Sequence, residues 1–529
     1  MSRRRKRVIA AVVAAVLFSG VLLGGGLALL VAFRPYWVPT GAMAPAVWGR
    51  RKELVCSQCG YPYRVSASEE VRGAPGGLPE SESRIAAATC PMCRYTMDLF
   101  KADPQGDKFP SLKGQRIIVG LLPYRFGDPR RWDRAVFRWP VDPQIHFIMR
   151  VVGLPNETLR IAGGDIFVAQ SEGDDFAIAR RPPEVVRKML HVVYDNDYLL
   201  PEILDKNWPA RWSAAPAEGW QASDQGKVFA SDADATGETW LRYRHFVPSY
   251  DDWQLFSQGP LPRNGDPKSQ LITDFFAGNT SRQRQAVRRD PGLDPESLGL
   301  DWVGDLAVGC TVQVRNRSGT VTFELVEAGR PHRCAIDVST GEARLSVEGL
   351  DDFAPLAATK VSQPGAYEVL FANVDDQLLL WIDWEPVAFD GPATYDPPGE
   401  RLPGPADLAP VGIAADGAAV RVSHLRVLRD VYYIAASDLH RSYGGSLSEF
   451  EPGRSPYFPC TRQRVREFFS NPGEWTALDK ARHVEFDLGP DQYFVLGDNS
   501  AKSKDSRLWE LDGGPYYVGR DQFIGKVVW

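Results

Sequence analysis

Four of the seven cysteines fall into two Cys-x-x-Cys pairs, Cys56-Ser57-Gln58-Cys59 and Cys90-Pro91-Met92-Cys93. Each pair brings two sulfurs to one point, and two pairs supply the four thiolates that enclose a tetrahedral zinc ion. Such a zinc would be structural, because four cysteines leave no position for water or substrate. The interval between the pairs is 30 residues, longer than the common spacing of about 15 to 20. Two disulfides satisfy the same pattern, and an oxidising compartment favours them. Cys310 and Cys334 lie on the apolar phase of two alternating runs, as a bridge or as two buried thiols, and Cys460 stands apart from both sets. Near the C-terminus, Asp498, Asn499, Ser500, Ser503, Asp505 and Arg507 crowd into one polar stretch with Lys502 and Lys504. A lysine in such a stretch is solvated and protonated, the wrong state for a general base.

Positioning these groups needs a scaffold, and the chain is long enough for several domains: 529 residues, 44% of them hydrophobic. A net charge of -6, from 61 basic and 67 acidic residues, gives no broad basic field and argues against nucleic acid as a partner. After the basic run Arg3 to Arg7, Val8 to Phe33 is an uncharged stretch of 26 residues, more than the ~20 that span a bilayer. It predicts a transmembrane helix over 8–33, with residues 1–7 cytoplasmic and the bulk of the chain extracytoplasmic, anchored in the plasma (inner) membrane. A cleaved signal peptide would have an apolar core of about 7 to 15 residues. From 271 to 433 apolar residues alternate, as in Leu306, Val308, Cys310, Val312 and Val314, or Val321, Phe323 and Leu325. That period, broken by turn residues such as Gly319, Gly329, Gly341 and Asp375-Asp376, predicts an all-β sandwich. Residues 171–270 show no usable motif, and Arg180, Arg181 and Arg187 read there as a solvated face. Trp384 reads either as a sugar-stacking platform or as a tryptophan packed on its own domain.

Two further blocks resemble a known family. Pro39-Thr40-Gly41-Ala42-Met43-Ala44-Pro45 follows the apolar stretch, and Gly497-Asp498-Asn499-Ser500, continuing to Ser503, Asp505, Ser506 and Arg507, lies near the other end. Both resemble bacterial signal peptidase I, as do Phe147-Ile148-Met149-Arg150-Val151-Val152-Gly153-Leu154-Pro155 and Asp133 to Arg138 just before it. The resemblance covers roughly 34–55, 113–170 and 485–529. It implies a mainly antiparallel β core and a serine nucleophile with a lysine general base for cutting signal peptides from preproteins. By position, the nucleophile is Ala42 and the base is Met149. Alanine has no nucleophilic atom, and a thioether is only a weak acceptor. The resemblance further implies that Thr40 supports the oxyanion, Ser503 orients the base, Asp505 and Arg507 form an ion pair, and Met43 lines the substrate groove. His146 is a poor substitute base, because an odd offset from Met149 along a strand points to the other face.

The expected organisation is a mainly β chain: peptidase core at 34–55, 113–170 and 434–529, a zinc-ribbon-like insert at 56–100, an uncharacterised insert at 171–270, and a sandwich at 271–433, where Val420 to Tyr433 with Trp381-Ile382-Asp383 resembles concanavalin- or laminin-G-like jelly rolls. A Gly-, Pro- and Glu-rich excursion over Gly73 to Ser83 falls inside the ribbon. The expected role is an inactive homologue that holds signal peptides or preproteins, or pairs with an active signal peptidase. The alternatives are an active serine-type endopeptidase using a nucleophile such as Thr40, and an anchored ligand-binding module built on the sandwich.

Overall fold

The computed structural model of the chain describes residues 32–70, 84–170, 174–232, 237–261, 267–290, 292, 295–399, 401–437, 447–451 and 454–528. The predicted membrane span lies almost wholly outside these residues, as does the excursion at 73–83. Phe33 is the exception: it opens the strand Phe33–Trp37 rather than closing a helix. Among the described residues no helix is long and apolar enough to cross a membrane.

The architecture is mainly β, with antiparallel sheets and few helices. A seven-stranded sheet runs in the order Phe33–Trp37, Arg116–Gly120, Phe523–Val527, Arg134–Arg138, His146–Gly153, Gln492–Leu496 and Val518–Gly519. It therefore combines residues from both ends of the chain. Its core packs Met43, Val119, Phe137, Met149, Val151, Val495 and Trp509, all nearly inaccessible to water. Beside it lies a four-stranded sheet made of Ala177–Ile178, Asp165–Ala169, Thr158–Ala162 and Val484–Asp487.

Two larger sheets fill the middle of the chain. One contains Leu306–Val314, Gly365–Asn373 and Val420–Arg429, and the other Thr320–Glu327, Arg330–Asp337 and Val411–Asp416. Their inward residues, among them Val308, Phe323, Ile336, Phe371 and Ile413, belong to one continuous core, as alternation in half-buried strands requires. Cys310 and Cys334 are fully buried unbridged thiols within it.

Segment 171–270, in which the sequence offers no motif, supplies strands to both sheets. His191–Asp195, Gln221–Ser223 and Val228–Ser231 join one, and Trp212–Ala215 and Thr239–Tyr243 join the other. Arg181 is not on a solvated face: it is buried and clamped between Asp375, with Nε 2.8 Å from Oδ2, and Asp430, with Nη1 3.0 Å from Oδ1. Arg180 donates to the carbonyls of Asp375 and Tyr395. A buried guanidinium demands such partners, since burying it alone costs several kcal/mol. Trp384 is 47% exposed, on a turn where it and Asp383 take positive φ, with Arg187 and Arg426 near its ring face.

Two hairpin-like pairs carry the paired cysteines. Arg51–Val55 pairs with Pro62–Ser66, and Ile85–Thr89 pairs with Thr96–Asp98. Strand Arg51–Val55 thus belongs with the cysteine hairpins and not with the sheet of the chain ends. Arg282–Gln283, from the middle of the chain, adds to Ile85–Thr89 and ties the cysteine unit to it.

Candidate functional site

Residues 38–49 form a loop stapled to the segment before Arg116–Gly120. Val38 donates to the Gln115 carbonyl at 3.0 Å, and the Trp48 amide donates to Gln115 Oε1 at 2.7 Å. Gly49 and Gly114 allow the close approach, because a Cβ on either would run into the carbonyls of Thr40 or Val38. From the other side the Asn499 amide donates to the Ala42 carbonyl at 3.0 Å, and Asn499 Nδ2 to the Gly41 carbonyl at 3.2 Å. The loop and the C-terminal motif, 458 positions apart, are thereby fixed against one another.

Thr40, Ala42, Met43, His146 and Met149 all border one cleft of about 590 Å³. Thr40 is exposed and Ala42 partly so, whereas Met43 is buried and packs into the sheet core beneath the cleft. Met149 is buried too, paired across the sheet with Ala135. His146, at the exposed start of the same strand, sits against the Tyr36 ring, with centroids 5.7 Å apart. Lys502 and Lys504 also border the cleft, both exposed, and Lys504 is held by Asp512 at 2.8 Å. At the two central positions stand a methyl group and a thioether; the first cannot attack a carbonyl, and the second cannot take the proton of an attacking hydroxyl.

The groups around these positions are ordered. Asp505 and Arg507 are fully buried, joined by two bonds of 2.8 Å. Arg507 also reaches the Ile434 carbonyl, Ser500 Oγ and the Ser500 carbonyl, each at 2.9 Å, so all of its donors are used. A second buried pair, Arg150 and Asp498, is also doubly bonded, at 2.7 Å each. Burial alone would lower the Arg150 pKa, but the Asp498 carboxylate outweighs it and raises the value. Ser503 differs: it is buried, and its hydroxyl has no hydrogen-bond partner. It lies next to residue 42, since a Cβ on Gly497 would meet both Ser503 Oγ and the Ala42 carbonyl.

Part of the cleft wall comes from outside the motifs. Ser66, Ser68 and Glu69 of the cysteine unit line it, as do Gly278, Asn279 and Ser281. Asn279 exchanges two amide bonds of 2.8 Å with Asn499. Asn279 lies in no motif; Arg150 and Asp498 lie inside two of the quoted blocks, but nothing in the sequence marked them as partners.

The four paired cysteines converge. Their sulfurs all lie within 4.8 Å of one another, with Cys56 Sγ 3.5 Å from Cys93 Sγ and Cys59 Sγ 3.5 Å from Cys90 Sγ. These are near the ~3.8 Å edge of a tetrahedron with ~2.3 Å metal–sulfur bonds and far from the ~2.05 Å of a disulfide. The two knuckles repeat each other. Gly60 donates to the Cys56 carbonyl and Arg94 to the Cys90 carbonyl, both at 3.0 Å, and both donors take positive φ. The thiols therefore fit a four-sulfur zinc site. Another group of acids, Asp165, Asp305 and Asp375, is already faced by Arg181 and Arg401.

The family model described as signal peptidase, peptidase S26, matches residues 97–198 and 456–529. Signal peptidase I of Pseudomonas aeruginosa is 40% identical over 70 residues, covering 11% of this chain and 25% of that protein. Signal peptidase I of Leptolyngbya laminosa is 36% identical over 74 residues, covering 12% of this chain and 36% of its own length. The chain thus spans a quarter to about a third of the length of these curated relatives. Among solved structures, carbohydrate-binding module CBM66 from Bacillus subtilis is 9% identical, with a TM-score of 0.22, covering 41% of this chain and 95% of that one. At that score the likeness bears on neither fold nor function.

Proposed function

The chain belongs to the signal peptidase I family, and from that premise we propose that it binds signal peptides or preproteins without cutting them. One observation carries this reading. The Asp505–Arg507 pair, the Arg150–Asp498 pair and the stapled loop are all kept, while Ala42 and Met149 present a methyl and a thioether beside an orphaned Ser503 hydroxyl. Removing the nucleophile of a serine protease costs on the order of a million-fold in rate, and here the base is absent as well. Thr40 is exposed, the nearby amines Lys502 and Lys504 are exposed too, and Lys504 is held by Asp512.

The remaining parts of the reading follow from the same residues. The uncharged, apolar run that begins at Val8 anchors the chain in the membrane, with its bulk outside the cytoplasm. Exposed apolar side chains at the sheet edge where the chain leaves residue 32 support this placement: Phe33, Leu122, Phe126 and Val528. Zinc is held by Cys56, Cys59, Cys90 and Cys93, and the two central sheets form a β-sandwich. An active signal peptidase is the natural partner, receiving the preprotein after this chain has captured it.

The deciding experiment is cleavage of a preprotein by the detergent-solubilised chain beside the double variant Ala42→Ser, Met149→Lys. The natural chain is expected to bind a labelled signal peptide and leave it intact, while the double variant cuts it. Turnover by the natural chain would overturn the proposal and make Thr40 the first residue to replace. Absence of signal-peptide binding would overturn it equally.

A further inference from the structure

A cavity of about 620 Å³ opens where the cysteine unit, the end of the cleft loop and the central insert meet. Its size is that of a small-molecule site. Aromatic rings make up much of its wall, among them Trp48, Tyr63 and Phe276. Two side chains of its wall, His191 and Arg94, carry buried nitrogens without a hydrogen-bond partner.

His191 is 9% exposed, and neither of its ring nitrogens has a hydrogen-bond partner. Its ring rests edge-on against Phe276, with centroids 5.1 Å apart. Arg94 lies flat over Phe275, its guanidinium carbon 3.2 Å from the ring centroid. Its Nε has no partner, and among the described residues no carboxylate stands within ion-pair distance of it. The cationic neighbours of Arg94 deepen the excess of positive charge. They include Arg211, which donates to the Met92 carbonyl, and Arg429, which donates to the carbonyls of Asp274 and Phe275. The carboxylate at the cavity wall, Glu53, is already taken by Arg51 and Arg64 at 3.1 and 3.0 Å. A buried guanidinium Nε and two buried imidazole nitrogens without partners each carry a desolvation cost that a hydrogen-bonding ligand would relieve.

We infer that this cavity binds an organic carboxylate with a flat apolar body, its charged end on Arg94 and His191 and its body between the aromatic walls. A planar carboxylate accepts the paired N–H groups of a guanidinium, which is the strongest form of such a contact. The rings supply the burial for the rest of the ligand. This site is separate from the cleft at Ala42, although Trp48 and the 276–279 segment lie between the two.

The test is calorimetric titration of the full detergent-solubilised chain with 2-naphthoate and, in parallel, with 2-naphthamide, which has the same body and no charge. The acid is expected to bind at least about tenfold more tightly than the amide, the scale of one charge-assisted hydrogen bond. Arg94→Gln should abolish that preference with cysteine-bound metal unchanged, and His191→Phe, which keeps a ring against Phe276, should weaken the acid severalfold. Equal affinity for acid and amide, or no saturable binding of the acid, overturns the inference in the unaltered protein, whatever the variants do. A preference that survives in folded Arg94→Gln overturns it as well.

Discussion

Ser503 retains a hydroxyl in a place where its neighbours no longer answer it, while Asp505 and Arg507, two and four residues on, are fully satisfied. These states carry opposite consequences for substitution. A buried hydroxyl without a partner costs about 1–3 kcal/mol, so Ser503→Ala should leave stability unchanged or raise it by up to about 1 kcal/mol. Asp505→Ala strands the fully buried Arg507 charge and should cost about 3–5 kcal/mol. Urea denaturation of the two variants separates these effects. A clear loss on Ser503→Ala would mean that the hydroxyl does structural work. The C-terminal motif made all three residues visible in the sequence. Met43, at the floor of the cleft, also packs into the sheet core, so a charge placed there would break packing before it could probe peptide binding. The motif could not show the Arg150–Asp498 pair, whose members are 348 positions apart.

The cysteine unit is small, and its short strands cannot bury much apolar area by themselves. Its buried residues, such as Tyr63, Val65, Ile85 and Met97, pack into the central core, and the zinc proposed for it would add metal-binding free energy to that packing. One zinc per chain is the expected content of protein purified without chelator. Cys90→Ser should bring it close to zero and make 84–109 sensitive to protease. Elemental analysis and limited proteolysis measure both, and an unchanged metal content would refute the assignment. Cys-x-x-Cys spacing made this unit legible, and strict alternation did the same for Leu306–Val314 and Thr320–Glu327. Gln221–Ser223 was hidden because three residues, all exposed, are too few to display a period. Arg181 was misread for a related reason. Its partners Asp375 and Asp430 lie 194 and 249 positions away, and a local run of basic residues carries no trace of them.

The whole molecule buries carboxyl and imidazole groups of opposite pH response. Burial pushes Glu327 and Glu449 up to about 7 from an ordinary 4.5, and pushes His332 down to about 4 from 6.5. Above pH 6.5 the histidines are largely neutral in both folded and unfolded chains. The two glutamates then lose, on folding-competent protein, protons that the unfolded chain has already released, and stability falls as the pH rises. From 6.5 down to about 4.5 the two kinds of group oppose each other: the unfolded chain protonates its histidines while the folded glutamates already hold protons that the unfolded chain lacks. The urea midpoint should therefore be lower at about pH 8 than at about pH 6.5, with Glu449→Gln flattening the difference. A midpoint that climbs over this interval would contradict the burial of these groups. The interleaved sheet has a further consequence, for the order in which the chain acquires its structure. Phe523–Val527 lies between Arg116–Gly120 and Arg134–Arg138, so those early strands wait as open edges until the final segment is available. Meanwhile the sheets between 191 and 429, whose strands pair with each other, can finish first. Closure of the end-to-end sheet is the late, high-contact-order step, and a chain shortened before Phe523 would keep two unpaired edges side by side, open to pairing with other chains.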